Sequence, residues 1–130
     1  MTPHLTNALA VGIAGFAGAM ARYYVQALGV RVVGTGFPWA TLFINVSGSF
    51  VLGWFMTMAA WRWEGVSDAT RLAVAVGFLG AYTTFSTWAY DSWQQIARGE
   101  WGWAALNLVG SLVLGLAAVW AGIACAGGQK

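Results

Sequence analysis

The chain has 130 residues, of which 59% are hydrophobic and 8% are charged, with a net charge of +2 and a mean hydropathy of +0.66. A soluble domain of this size would lack the charged surface that keeps it dispersed, so the composition favours a membrane protein. The Lys and Arg residues are spread singly along the chain, which speaks against a nucleic-acid partner, and the one cysteine, Cys125, allows neither an intrachain disulfide nor a thiolate metal cluster.

Four stretches without charged residues are each long enough for a membrane-spanning helix, at 1–21, 32–61, 72–90 and 101–129. A helix needs ~20 apolar residues to cross the hydrocarbon core of a bilayer. We therefore predict an all-α integral membrane protein with a single four-helix transmembrane domain over residues 1–130. The predicted spans cover about 5–28, 38–61, 71–93 and 101–124. The short connectors leave no room for a catalytic domain, so we do not expect an enzyme.

Span 1 carries Gly12, Gly15 and Gly18, a spacing of small residues that permits close approach of a neighbouring helix. The residues before it include no Lys or Arg, which speaks against a cleavable signal peptide. We predict that a loop follows over residues 29–37 and that Pro38 is the first helical residue of span 2.

Spans 2 and 4 each carry polar residues at helical spacing. Thr41, Asn45 and Ser49 of span 2 fall on one face of the helix, and Asn107 and Ser111 repeat this pattern in span 4. Hydrogen bonding between helices explains each asparagine alone as readily as a pathway for an ion does. Two such stripes in one small membrane domain favour a pathway.

Span 3 follows Ser67, a predicted N-cap, and contains the sequence GFLGAYTTFSTW at 77–88. Glycine lowers helix propensity, and the Thr and Ser hydroxyls compete for backbone carbonyls, so we predict that this helix is broken near its middle. A break frees carbonyl oxygens that suit a hard cation, and the N-terminus of the resumed helix favours an anion. Helix packing by the same small residues is the alternative.

Aromatic residues have two predicted roles. Phe85 and Trp88 are three residues apart, so both rings project from one side of the helix after the break, and ring edges carry positive potential that suits an anion. Packing against lipid or other side chains is the alternative. The tryptophans at the predicted span ends are typical of an interfacial belt, and they are Trp39, Trp61, Trp63, Trp93, Trp101 and Trp103.

The distribution of positive charge gives no preferred orientation in the membrane. With four spans, Arg62, Arg71 and Lys130 lie on the side of both termini, and Arg22, Arg31 and Arg98 lie on the other side. Orientation follows an imbalance of Lys and Arg between short loops, and here there is none. We therefore predict dual topology with antiparallel pairing of two copies, the alternative being a weak bias set by the first helix or by His4.

Four segments, taken in order, resemble the Fluc (CrcB) family of fluoride channels. They are GFAGAMARYY at 15–24, ATLFINVSGSFVLG at 40–53, GFLGAYTTFSTW at 77–88 and NLVGSLVLGL at 107–116. The resemblance implies a dual-topology homodimer in the inner (plasma) membrane of a bacterium or other microbe. It also implies passive export of fluoride through two pores, with a structural sodium ion at the dimer centre.

The resemblance also assigns roles to individual residues. The residues that match the fluoride pathway of the family are Thr41, Asn45, Phe85, Trp88 and Ser111. Gly80 and Thr83 match the positions whose backbone carbonyls bind sodium, and Arg22 matches an arginine near a pore vestibule. The chain departs from the family at Trp88, usually phenylalanine, and at Tyr82, usually small or apolar. The indole adds an N–H donor to the ring, so we expect function to persist with an altered pore width.

A dual-topology small multidrug transporter is the main alternative, because that class also has four short spans and balanced loop charges. Proton-coupled export of a cation needs an acid within the membrane, and span 1 contains none. Asp91, near the end of span 3, is the only acid close to a predicted core. A purely structural membrane subunit would leave the polar stripes and the breakable segment unexplained.

Overall fold

A computed structural model describes residues 2–127 and contains four long apolar helices. Span 1 is Pro3–Val33, span 2 is Trp39–Trp61, span 3 is Asp68–Ala97 and span 4 is Trp101–Cys125. Each helix is long and apolar enough to cross a membrane, and no strand occurs within the described residues. The predicted all-α fold with four spans is confirmed.

Span 1 is longer than predicted. It continues to Val33, so the prediction that a loop begins at Gly29 is wrong for residues 29–33. Gly29 packs closely against Ala40 of span 2 and remains helical, whereas Gly34 takes a φ of 77° and ends the helix. Glycine allows this left-handed conformation at little steric cost, so the second glycine is the one that terminates the span.

The start of span 2 and the end of span 3 also differ from prediction. Pro38 is the N-cap of span 2 rather than its first helical residue. Ser67 caps span 3 as predicted, with its hydroxyl oxygen accepting from the Thr70 N–H at 3.2 Å. Span 3 continues to Ala97, beyond the predicted end at 93, and the turn that follows contains Gly99 with a φ of 75°.

Span 1 packs against the first half of span 3, and span 2 packs against span 4. Close approach depends on glycine in both pairs, because a Cβ at Gly18 would collide with the Phe78 carbonyl and one at Gly122 with the Phe50 carbonyl. Gly12 has nothing within 4 Å of such a Cβ, so this member of the predicted glycine pattern takes no part in the contact.

Span 3 is interrupted in the middle, as predicted. A π-helical segment, Ala73–Leu79, and one α-helical turn, Gly80–Tyr82, precede two extended residues. Thr83 has φ −76° and ψ 159°, and Thr84 has φ −149° and ψ 114°. The helix then resumes as Phe85–Ala97. The interruption lies directly before the predicted aromatic pair.

Candidate functional site

The side chain of Asn45 holds the backbone of span 3 at its interruption. Its amide oxygen accepts a hydrogen bond from the Thr84 N–H at 2.8 Å, and its amide nitrogen donates to the Thr84 carbonyl at 3.1 Å. An asparagine amide carries the donor and the acceptor of a peptide group, so it can pair with the main chain of one residue on both sides. Asn45 therefore couples span 2 to the extended segment of span 3.

Two carbonyl groups beside the interruption lose donors that a continuous helix would supply. In an α-helix the Gly80 carbonyl would accept from the Thr84 N–H, and the Thr83 carbonyl would accept from the Thr87 N–H. Here the Thr84 N–H donates to Asn45, and the Thr87 N–H donates to the Thr84 hydroxyl at 3.2 Å. The Gly80 and Thr83 carbonyls therefore keep lone pairs for another ligand.

An open cleft of about 410 Å³ lies beside the interruption, with walls from spans 2, 3 and 4. The residues singled out from the sequence that line it are Asn45, Ser49, Gly80, Thr83, Phe85, Trp88 and Ser111. Among the residues that the structure describes, none that lines this cleft is charged. The cleft thus combines hydroxyl and amide groups with aromatic rings and carries no fixed charge that would hold an ion tightly.

The two aromatic rings of the cleft are neighbours. The ring centroids of Phe85 and Trp88 are 5.1 Å apart and the ring planes are inclined by 48°. Phe85 is 76% exposed in the single chain, while Trp88 is half-buried and its indole N–H donates to the Asn107 carbonyl at 3.0 Å. The extra donor of Trp88 is therefore bound to span 4, and the ring is what Trp88 offers to the cleft.

Thr41 lies in a second cleft of about 540 Å³, between the end of span 1 and the second half of span 3. Its hydroxyl is buried and donates to the Asp91 carboxylate at 3.1 Å. Arg31 and Thr87 also line this space. The polar stripe of span 2 is therefore divided between two clefts, with Thr41 in the second and Asn45 in the first.

Arg22 is partly exposed on span 1 and belongs to the lining of neither cleft. The arginine that lines the second cleft is Arg31, which is exposed in the last turn of span 1. Within one chain, the structure therefore does not bring Arg22 together with the other residues singled out from the sequence.

Some contacts of the site were missed from the sequence. The Tyr82 hydroxyl lies 3.0 Å from the Ser47 hydroxyl, so the unusual tyrosine is held by span 2. Thr84 is the N-cap of the resumed helix, and the spacing of Thr84 and Thr87 is a signal that could have shown this. The Ser92 hydroxyl of span 3 accepts a hydrogen bond from the Asn107 amide of span 4, and no local sequence pattern predicts such a pair.

Among residues 2–127, no three His, Cys, Asp or Glu side chains lie close enough to hold a metal ion together. The groups at the interruption that suit a hard cation are the main-chain carbonyls of Gly80 and Thr83, since carbonyl oxygens are ligands of such ions. These two carbonyls fit a cation such as sodium in donor chemistry.

Comparison with known proteins agrees with the resemblance seen in the sequence. A family model described as "CrcB-like protein, Camphor Resistance (CrcB)" matches residues 9–123. A fluoride-specific ion channel FluC of Koribacter versatilis is 46% identical over 109 residues, which are 84% of this chain and 86% of that protein. The FluC of Geobacter sulfurreducens is 40% identical over 122 residues, covering 94% of this chain and 98% of that protein. The FluC of Nitrobacter winogradskyi is 45% identical over 118 residues, covering 91% of this chain and 93% of that protein. The chain is thus a multi-pass membrane protein that belongs to the CrcB-like family.

Proposed function

We propose that this protein is a fluoride-specific ion channel that exports fluoride passively. The observation that carries the proposal is the uncharged cleft, in which Asn45, Ser111 and two aromatic rings line one passage beside the interruption of span 3. The similar proteins of known name are fluoride-specific ion channels. Passive conduction requires no catalytic group, in keeping with the expectation that the chain is not an enzyme.

The chemistry of the cleft supports selective passage of a small anion. Fluoride is strongly hydrated, so a pathway must replace its water with closely spaced hydrogen-bond donors and positive ring edges. The second amide hydrogen of Asn45 is such a donor, and Phe85 and Trp88 supply ring edges. Ser111 lines the same cleft, and its hydroxyl would exchange its bond to the Asn107 amide oxygen for one to the ion. Conduction also requires weak binding at several successive points, which a lining without Lys or Arg permits.

The second cleft is proposed as the vestibule from which fluoride enters. Thr87 of the second cleft and Trp88 of the first are adjacent in span 3, so the two spaces follow one another along the helix. Arg31 brings a positive charge to this cleft and Asp91 brings a negative one, which the Thr41 hydroxyl binds. The exposed guanidinium of Arg31 is the group proposed to attract the entering anion. Thr41 lies early in this proposed path, and its hydroxyl would exchange its bond to the Asp91 carboxylate for one to the ion. Arg22 keeps its proposed vestibule role, as part of a mouth that two copies form together.

The proposed assembly is an antiparallel homodimer with two pores, present in the inner membrane in both orientations. Phe85 is 76% exposed in one chain and the first cleft is open on one side, so a second copy would complete its wall. The equal division of Lys and Arg between the two sides of the membrane supports opposite orientations of the two copies. The chain is proposed to form one domain over its full length.

A structural sodium ion at the dimer centre is part of the proposal. The Gly80 and Thr83 carbonyls of both copies would hold it, because the donors that a helix would direct to them are bound elsewhere. Such an ion would neutralise carbonyl dipoles that face each other across the interface. The purified dimer should unfold at a lower temperature when choline replaces sodium in the buffer. Equal unfolding temperatures in the two buffers would remove the sodium ion from the proposal.

Efflux of fluoride from liposomes that contain the purified protein tests the function directly. A fluoride electrode should record rapid release after the membrane potential is dissipated, and a chloride electrode should record none. Release of chloride at the rate of fluoride would refute selectivity. The same liposomes test the multidrug alternative, in which a proton gradient would drive a hydrophobic cation across the membrane and fluoride would stay inside.

A further inference from the structure

A closed ring of hydrogen bonds joins spans 3 and 4 behind the first cleft. The Ser92 hydroxyl donates to the Trp88 carbonyl at 2.8 Å and accepts from the Asn107 amide nitrogen at 2.9 Å. The Asn107 main-chain carbonyl in turn accepts from the Trp88 indole N–H at 3.0 Å. Ser92 is 2% exposed and Asn107 is 0% exposed, so water does not compete for these bonds. Trp88 is thereby held at its backbone and at its ring.

The Asn107 carbonyl in span 4 accepts two hydrogen bonds. Span 4 is π-helical over Leu106–Gly110, and the carbonyl of Asn107 accepts from the Ser111 N–H as well as from the indole. A carbonyl has two lone pairs, so the indole N–H can bind the Asn107 oxygen beside the ordinary helical bond from the Ser111 N–H. Short π-helical segments inside α-helices are frequent at functional sites.

The amide oxygen of Asn107 contacts a second residue of the cleft. It accepts a hydrogen bond from the Ser111 hydroxyl at 3.3 Å. Trp88 and Ser111 both line the cleft, whereas Asn107 does not. One buried residue behind the wall therefore holds two groups of the wall, the ring through its main-chain carbonyl and the Ser111 hydroxyl through its side-chain amide oxygen.

We infer that Asn107 is a positioning residue that sets the anion selectivity of the pathway, an inference that rests on the proposed function. With the indole bound to span 4, the Trp88 ring cannot turn away from Phe85, so the distance between the ring pair and the Ser111 hydroxyl stays fixed. A passage of fixed width admits fluoride and excludes the larger chloride ion. The indole proton is a structural donor here and does not bind the ion.

Two variants test this role through selectivity. Ser92→Ala removes the hydroxyl that links Asn107 to the Trp88 backbone, and Asn107→Leu removes the side-chain amide at similar volume. Both should raise the ratio of chloride to fluoride efflux from liposomes by roughly tenfold, the effect of losing about one buried hydrogen bond. Thr57→Val is the matched control, since it removes a hydroxyl that bonds within span 2 to the Gly53 carbonyl at 2.8 Å, and it should leave the ratio unchanged.

A second measurement does not depend on ion transport. In protein labelled with ¹⁵N-tryptophan, the Trp88 indole resonance is identified by its loss in Trp88→Phe. Slow exchange of this proton with solvent, and faster exchange in Ser92→Ala, would support the inference. An unchanged exchange rate and an unchanged ion ratio in folded Ser92→Ala would overturn it, even if Asn107→Leu fails to assemble. Absence of fluoride efflux from the wild type would refute the proposed function, while the exchange data would still report on the Trp88 anchor.

Discussion

Asn45 and Phe85 line the same cleft and contribute to it in different ways. Phe85 makes no hydrogen bond and presents a ring whose surface is 76% exposed in the single chain. Asn45 is bound through both atoms of its amide to the Thr84 backbone, so its contribution combines a remaining N–H donor with control of the path of span 3. Substitutions at these two positions should therefore reduce fluoride efflux for different physical reasons.

Phe85→Ile removes the ring edge and keeps a hydrophobic side chain. We expect a folded dimer whose fluoride efflux falls at least about tenfold, because a lost interaction of ~1.4 kcal/mol in the rate-limiting step has that effect. A fluoride electrode and size-exclusion chromatography measure efflux and assembly. Phe16→Ile is the control, since Phe16 is an exposed ring on span 1 outside the cleft. Full efflux in Phe85→Ile would show that the ring pair is not part of the pathway.

Asn45→Asp replaces the amide nitrogen that donates to the Thr84 carbonyl with an oxygen. The two oxygens would then face each other, and a negative charge beside the path would repel the anion. We expect loss of fluoride efflux together with a decrease of about 1–3 kcal/mol in the free energy of unfolding, the cost of leaving a buried polar group unsatisfied. Asn7→Asp, in the first turns of span 1, should change neither quantity. An Asn45→Asp protein with normal efflux and normal stability would contradict both assigned roles.

At the level of the helices, the interruption of span 3 within residues 77–88 could be predicted from their Gly and Thr content, but which residues become extended could not. Thr83 and Thr84 are extended because Asn45, which is 39 residues from Thr84, supplies the hydrogen bonds that the helix gives up. Thr41 was grouped with Asn45 by helical spacing and by resemblance, and Arg22 was assigned to a vestibule by resemblance. That neither residue lines the first cleft follows from how the spans pack.

Glycine contacts between helices give a prediction for the pair formed by spans 2 and 4. A Cβ at Gly122 would collide with the Phe50 carbonyl and the Trp54 N–H, and backbone atoms cannot move aside as a side chain can. Gly122→Ala should therefore lower the free energy of unfolding by about 1–3 kcal/mol, the usual range for overpacking. Gly12→Ala, where a Cβ meets nothing within 4 Å, is the matched control and should be neutral or stabilising. Thermal unfolding in detergent measures both, and equal stability of the two variants would contradict the packing described for spans 2 and 4.

For the whole molecule, a single chain leaves many large apolar side chains exposed and leaves the first cleft open. Lipid can cover the apolar side chains, but lipid cannot complete a passage for a hydrated anion, because every polar group in the hydrocarbon region must be satisfied by protein or water. The molecule that conducts is therefore proposed to be larger than one chain.

The proposed dual topology predicts two populations of the C-terminus. A small tag at residue 130 should be labelled by a membrane-impermeant reagent in part of the molecules on intact cells, and in all of them after the cells are opened. The physical reason is the equal number of Lys and Arg on the two sides, which gives the insertion machinery no preference. A different membrane protein that has one known orientation and carries the same tag provides the control. Complete labelling, or complete protection, on intact cells would contradict dual topology.

The length of span 1 has a consequence for the surroundings of the channel mouth. A helix of 31 residues, Pro3–Val33, is roughly 46 Å long, whereas the hydrocarbon core is ~30 Å thick. A moderate tilt does not absorb this difference, so the last turns of span 1 extend into the headgroup layer and the water beyond it. They would carry Arg31 with them, and its guanidinium would then contact lipid phosphates as well as the fluoride ion proposed to enter through this cleft. Anionic lipids would compete with fluoride for this arginine, so the lipid composition of the bilayer should tune the rate at which ions are captured.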